Sequence, residues 1–354
     1  MSGPPSDAVP GLDAAALTAW WRAALADRPE TALENGHGDL DVALIAGGRS
    51  NLTYRVGDGV RTWVVRRPPL GHVLATAHDM AREHRVLSAL GPTPVPVPVA
   101  HALCEDPDVV GAPFYVMSDV AGTPYRTAAE LAALGRDRTR AISERMVDTL
   151  AALHSVDPAA VGLGDVGRVE GFLARQVRRW SIQMDRSLTT DRPDAEALLR
   201  RLEAGVAQAD RSARPGIVHG DYRLDNLLVD GDDRIAAVVD WEMATLGDTL
   251  TDLGLLVVYD RLADVAPGAV ADASRAPGFL GEDELLQRYA TTRESDLDEL
   301  GFHLGLAAYK LAAILEGIHH RYLAGQTVGQ GFDGVGDVVD PLLRFGLRAM
   351  TGTR

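Results

Sequence analysis

The sequence predicts an α+β protein in two parts, a small antiparallel sheet near the N-terminus and a mainly helical remainder. Three observations lead there. Short β-favouring runs at 42–45, 52–56 and 62–65 are linked in part by Gly57-Asp58-Gly59, a hairpin-turn signal. Beyond Thr127 the apolar spacing turns helical, through Leu131, Ile142, Met146, Leu150 and Leu153 to His154. A chain of 354 residues is also too long for one simple core and suits two lobes. The expected division is a sheet lobe over 1–117, a hinge over 118–123 and a helical lobe over 124–354.

Composition narrows the class. Hydrophobic content of 46% with 24% charged residues is that of a folded globular chain. The formal net charge of −15 repels nucleic acid phosphates and anionic lipid, so neither nucleic acid nor membrane is an expected partner. Cys104 is the only cysteine, which excludes an internal disulfide and thiolate metal clusters. The first seven residues have no basic start and no apolar core, and no apolar run reaches membrane-spanning length, so a cytoplasmic protein is expected, monomer or homodimer. Lys310 is the only lysine; without Gly-Lys-Ser/Thr there is no P-loop.

The elements follow in order. Leu12, Ala16, Ala19, Trp20 and Ala23 predict an amphipathic helix over 12–26, with Asp13 in its first turn. After the first strand, Ala46-Gly47-Gly48-Arg49-Ser50-Asn51 is a small-residue loop whose backbone at Gly48, Ser50 and Asn51 suits phosphate oxygens, although alone such a loop is more often a hairpin turn. A helix over 76–90 carries Ala81, Glu83, His84, Val86, Leu87 and Leu90. The proline-rich run 92–98 reads as an extended connector, and 99–103 and 114–117 as two further strands. Small polar residues at 118–123 mark the hinge; backbone near Met117 to Val120 is where a nucleotide base is expected.

In the helical part, helices are predicted at 170–186, 194–209, 282–293, 297–323 and 335–350. Arg175, Arg178 and Arg179 share one helix face, by default a solvated one, alternatively an anion site. Asp248 and Asp252 read as helix caps that tie down the preceding loop. The helix 301–322 could wall an acceptor pocket; His319 and His320 are adjacent and point apart, which argues against a metal pair.

The most informative stretch is Ile217-Val218-His219-Gly220-Asp221-Tyr222-Arg223-Leu224-Asp225-Asn226-Leu227-Leu228, followed by Ala237-Val238-Val239-Asp240-Trp241-Glu242. Two apolar runs frame a polar loop and deliver Asp221, Asn226 and Asp240 toward one sheet edge. Phosphoryl transfer needs such a set: a carboxylate to orient the attacking hydroxyl, and hard oxygens to keep magnesium on the phosphates. Asp221 suits the first role; Asn226 and Asp240, with Glu242 either at a metal-bound water or in a salt bridge, suit the second. His219 is expected to brace the loop more than to move a proton, and Arg223 to contact phosphate or neutralise Asp221 and Asp240.

These residues resemble the Asp-x-x-x-x-Asn catalytic loop and metal aspartate of protein kinases. His-Gly-Asp in place of His-Arg-Asp, with Asp-Trp-Glu later, resembles the aminoglycoside phosphotransferase and choline kinase group of small-molecule kinases. The resemblance implies a bilobal protein-kinase-like fold, ATP or GTP as donor and Mg2+. It also implies an ion pair between Glu83 and a basic residue on the preceding strand that contacts the α- and β-phosphates. Arg66 stands where that group usually has lysine. Gly47 to Asn51, Val65-Arg66-Arg67-Pro68-Pro69, residues 81–87 and 309–331 further resemble the phosphotransferase domains found alone in bacteria or fused ahead of acyl-CoA dehydrogenase domains in animals. That branch suggests a hydroxyacyl-CoA acceptor; an aminoglycoside acceptor, or nucleotide binding without transfer, are the alternatives.

Overall fold

The computed structural model describes residues 9–33, 38–45, 51–70, 79–265, 271–294, 296–327 and 332–352. The chain divides into two compact units. The first runs to Ala121 and also takes in Ala237–Glu242; the second holds Gly122–Ala236 and Met243–Arg354. The short segment carrying Asp240 therefore belongs with the N-terminal sheet, although it follows the catalytic-loop motif in sequence.

In the first unit, strands β1 (Asp41–Leu44), β2 (Leu52–Gly57), β3 (Thr62–Arg67), β4 (Ala100–Cys104) and β5 (Phe114–Ser118) form one antiparallel sheet in the order β1-β2-β3-β5-β4. Alternation along β3 sends Trp63 and Val65 to one face, where they join Tyr54, Val56, Phe114 and Val116 in an apolar cluster. The N-terminal helix α1 (Ala14–Ala24) closes that face, with Asp13 accepting from the Ala16 N–H as its cap. Its buried side differs from the one the alanine spacing indicates. Leu17, Thr18 and Trp21 are buried, while Ala19 and Ala23 are exposed. The Leu17-Trp21-Leu25 stripe offers far more apolar surface than the alanines, and the Trp21 ring packs against Trp63 at 5.0 Å between centroids, tilted by 58°. The opposite face carries Arg66 from β3 and Tyr115 from β5, and there helix α2 (Met80–Leu90) brings Glu83.

The second unit is mainly helical, as expected. The long helical pattern after Thr127 is broken in two at Gly135, whose φ of +91° only glycine adopts at low cost, giving α3 (Ala128–Ala132) and α4 (Arg136–Ser155). Next come α5 (Phe172–Ser187) and α6 (Pro193–Ser212), then β6 (Pro215–Val218), which pairs antiparallel with β9 (Thr245–Asp248). Between them β7 (Leu227–Val229) and β8 (Ile235–Val238) form a second two-stranded ladder. Helices α7 (Leu250–Val265), α8 (Glu282–Arg293), α9 (Leu300–Leu323) and α10 (Val339–Ala349) complete it. Helix α9 is buried along much of its length, and glycines let its neighbours approach: a Cβ on Gly254 would lie 3.0 Å from the His303 backbone, and one on Gly346 would lie 3.0 Å from Ala308.

Candidate active site

The site residues of the first unit converge on one guanidinium. Arg66 reaches the opposite side of the sheet from Trp63, and its Nε lies 3.0 Å from a carboxylate oxygen of Glu83. The same guanidinium bonds Asp240 and stands 3.7 Å from Glu242. Asn51 bridges two of these acids, its amide nitrogen 2.9 Å from Glu83 and 3.1 Å from Glu242, and the Tyr115 hydroxyl donates to Glu83 at 3.0 Å. Burial pushes the Glu83 carboxyl up to about 7, against the opposing pull of Arg66. Burial alone would lower the Arg66 guanidinium, but Glu83, Tyr115, Asp240 and Glu242 hold it above the ordinary arginine value. Three carboxyls around one arginine leave the group ready for further positive charge.

Asp240 takes part from a backbone of φ +68°, a conformation disfavoured for a residue with a Cβ. Such positions concentrate at functional sites, where the surrounding structure over-determines them. Asp240 and Glu242 are hard oxygen donors of the kind magnesium takes, and magnesium commonly uses only one or two protein carboxylates beside substrate phosphates. No cluster of three His, Cys, Asp or Glu suited to a metal occurs among the described residues. Gly48 and Ser50 lie outside the described residues. Met117 sits inside β5, in register with Val64 on one side and Ala100 on the other, and pairing with β3 ends at Ser118 opposite Trp63. The sheet thus occupies the Met117 backbone, and Val120 lies beyond the ladder.

In the second unit the motif forms a tight loop after β6. Gly220 has φ +88°, and a Cβ there would meet Met243 at 2.7 Å, so glycine is required on both counts. The turn presents Asp221 with one oxygen accepting from the Tyr259 hydroxyl at 2.8 Å and the other from the Asn226 amide at 3.1 Å. Asn226 also donates to the Asp221 carbonyl at 2.9 Å, which leaves its own amide oxygen for a cation. Arg223 turns to Asp225 instead of Asp221: its Nε donates at 2.6 Å, and its guanidinium lies over the Tyr259 ring at 4.8 Å.

His219 is fully buried. Its Nδ1 accepts from the Asp221 backbone N–H at 3.3 Å, a bracing contact. The brace continues in Asp252 of α7, which accepts from the backbone N–H groups of His219 and Gly220 at 2.6 and 2.7 Å and is met by His154 at 3.3 Å. Burial opposes this charge, yet His154, His219 and the Gly220 N–H together hold Asp252 below the usual carboxylate range. Asp252 therefore secures the loop rather than capping its helix, whereas Asp248 does accept from the Leu250 N–H at 3.1 Å and binds His303 at 2.8 Å. Arg175 is drawn into the carbonyls of Arg168 and Glu170, so the three arginines of that helix do not act as one patch.

Sequence reasoning missed Tyr259 and did not connect Lys310 to the loop. Lys310 of α9 donates to the Gly220 carbonyl at 3.0 Å. For Tyr259 one signal was present: it follows Asp252 by seven residues, two helical turns, so both fall on the face of α7 that meets the loop.

Three comparisons place the chain and its fold among known proteins. Residues 41–292 match the family model described as "Phosphotransferase enzyme family". Acyl-CoA dehydrogenase family member 10 of Mus musculus is 33% identical over 302 residues, covering 82% of this chain and 27% of its own length. The chain thus spans about a quarter of that relative. Among solved structures, a candidate aminoglycoside phosphotransferase of Ralstonia eutropha JMP134 has a TM-score of 0.80 at 31% identity, covering 97% of this chain and 99% of its own. A thermostable aminoglycoside phosphotransferase in ternary complex with AMP-PNP and hygromycin B, at 15% identity and a TM-score of 0.58 over 90% of this chain and 97% of its own, shares the fold. With its α+β kinase-like fold and its His-Gly-Asp loop, the chain belongs to the phosphotransferase enzyme family.

Proposed function

We propose that the protein transfers the γ-phosphoryl group of ATP or GTP to a hydroxyl of a small molecule, with a hydroxyacyl-CoA as the favoured acceptor. Asp221 accepts the acceptor's proton as its oxygen bonds to the γ-phosphorus and the bond to the leaving nucleoside diphosphate breaks. Tyr259 and Asn226 fix the two oxygens of that carboxylate, so its direction is set before substrate arrives. Asn226, Asp240 and Glu242 would hold Mg2+, whose charge would neutralise that of the phosphates. Arg66, oriented by Glu83, contacts the α- and β-phosphates; arginine stays charged and can bind two oxygens at once. In this reading the backbone amides at Gly48, Ser50 and Asn51 bind phosphate oxygens, and the backbone beyond Ser118 meets the base.

The single observation that carries this reading is the Asp221 carboxylate, held by Tyr259 at 2.8 Å and Asn226 at 3.1 Å on a loop pinned by Asp252. The acyl-CoA dehydrogenase name of the relative supports the acceptor class, because that domain and this one are joined in one chain there. The aminoglycoside reading rests on the structural neighbours.

The test is ADP release from Mg-ATP with hydroxyacyl-CoA esters and a set of aminoglycosides. Acceptor-dependent release is expected with the esters, and Asp221→Asn lowers it by about 10²- to 10⁴-fold with nucleotide binding kept. Near-normal turnover in that variant rejects the role given to Asp221. Binding of Mg-nucleotide with no transfer to any acceptor points to a nucleotide-binding module instead.

A further inference from the structure

The one lysine of this chain sits beside the catalytic loop. The Gly220 peptide is held on both sides: its N–H is donated to Asp252 at 2.7 Å, and its carbonyl accepts from Lys310 Nζ at 3.0 Å. Gly220 immediately precedes Asp221, so Lys310 fixes the peptide from which the catalytic carboxylate springs. An ammonium has three hydrogens, and the carbonyl takes one. The rest of the environment combines an aromatic ring, a second cation and the charges of Asp221 and Asp252. Lys310 Nζ lies 5.6 Å from the centre of the Trp180 ring, and the Arg179 guanidinium lies 5.1 Å from the same ring. Burial holds the Lys310 ammonium below its ordinary range and Arg179 adds to this, while Asp221 and Asp252 oppose it. In a chain of formal net charge −15, two cations therefore lie 5.1 and 5.6 Å from the centre of one indole, and one of them bonds the loop that carries the catalytic aspartate.

We propose that Lys310 is a specificity-determining residue for the acceptor: while holding the Gly220 carbonyl, it offers its remaining ammonium hydrogens to a carbonyl or anionic oxygen of the acceptor, and its charge turns away a polycation. This rests on the reading in which Asp221 orients the acceptor hydroxyl. It selects between the two acceptor classes, because an aminoglycoside brings ammonium groups where an ammonium already stands, whereas a hydroxyacyl thioester brings a carbonyl oxygen near its hydroxyl.

The chain's lysine count makes the test direct. Biosynthetic incorporation of lysine ¹³C-labelled at Cε labels Lys310 alone in the full chain and leaves its three ammonium hydrogens in place, and Lys310→Arg removes the resonance and so identifies it. Titration with short- and long-chain 3-hydroxyacyl-CoA esters in the presence of Mg-AMP-PNP is expected to shift that resonance, and titration with kanamycin to leave it in place. Kanamycin moving it as the esters do, or no ester moving it, overturns the inference. In steady-state ADP release, Lys310→Met is expected to raise KM for the ester by about tenfold, the loss of one charge-assisted hydrogen bond, with KM for Mg-ATP within about twofold. Lys310→Arg recovers most of the loss. An unchanged ratio of ester to kanamycin efficiency in Lys310→Met overturns the proposal while leaving the kinase reading intact. If the unmodified protein transfers phosphate to no acceptor, the kinase reading fails, and the resonance titration by itself decides whether Lys310 binds the ester.

Discussion

Glu83 is 1% exposed and sits against Arg66, so its protonation reports on the balance between burial and pairing. With its carboxyl pushed up to about 7, the folded protein holds a proton there that the unfolded chain, with its ordinary value of 4.5, releases. The folded state therefore binds more protons between these values. Its stability from this group is fully present below about pH 4.5 and is lost as pH rises through about 7. In nucleotide-free protein the loss is expected to reach about 2–4 kcal/mol. Urea midpoints from pH 5 to 8 for the wild type and for Glu83→Gln, which keeps the neutral form, check it. The variant's profile should lack this decline; parallel profiles refute the assignment. At the second centre, Tyr259→Phe removes one hydrogen bond to Asp221 and is expected to lower kcat by about fivefold, corresponding to about 1 kcal/mol, with KM for nucleotide unchanged. Equal kcat in the variant removes Tyr259 from the positioning role.

Between elements, the loop after β6 depends on helices far from it in sequence. Asp252 on α7 accepts two loop N–H groups and meets His154 of α4, all of them buried. Asp252→Ala leaves those donors without an acceptor and is expected to destabilise the fold by about 3 kcal/mol, read as a lower urea midpoint. In the first unit, Trp21→Ala opens a cavity against Trp63 and is expected to cost about 3–5 kcal/mol by the same measurement. These contrasts explain what the sequence made legible. Asp221, Asn226 and the required Gly220 lie within a few consecutive residues, so spacing and residue type alone picked them out. Short strands and long helices also declared themselves by period. Tyr259 stayed hidden, because it arrives from a helix whose own pattern speaks only of its apolar face, whereas the tie between Asp252 and the loop is legible in the sequence and only its acceptor geometry is not. The α1 face was misassigned because alanine spacing carries little weight against one buried tryptophan. Asp240 was recognised by motif, but nothing in a linear reading indicated that 237–242 folds with the N-terminal sheet.

Across the whole molecule, acidity governs how a nucleotide is received. The chain carries a formal net charge of −15, and its candidate site residues add to this locally. In the first unit Glu83, Asp240 and Glu242 gather around Arg66; in the second, Asp221 and Asp225 are accompanied by Arg223 and Lys310. A free nucleoside triphosphate brings several negative charges of its own. Like charges at such distances interact by about 1 kcal/mol even in bulk water and by more near a protein surface. Magnesium is thus expected to be needed for binding as well as for transfer. Chelation should weaken ATP affinity by at least about tenfold, and the deficit should shrink as salt screens the repulsion, since the Debye length falls from about 30 Å at 0.01 M to about 8 Å at 0.15 M. Calorimetric titration of ATP with and without Mg2+, at low and at physiological ionic strength, measures both effects. An affinity indifferent to magnesium would mean that Arg66 alone outweighs the three carboxyls around it, and Arg66→Lys would then separate the geometry of the guanidinium from its charge.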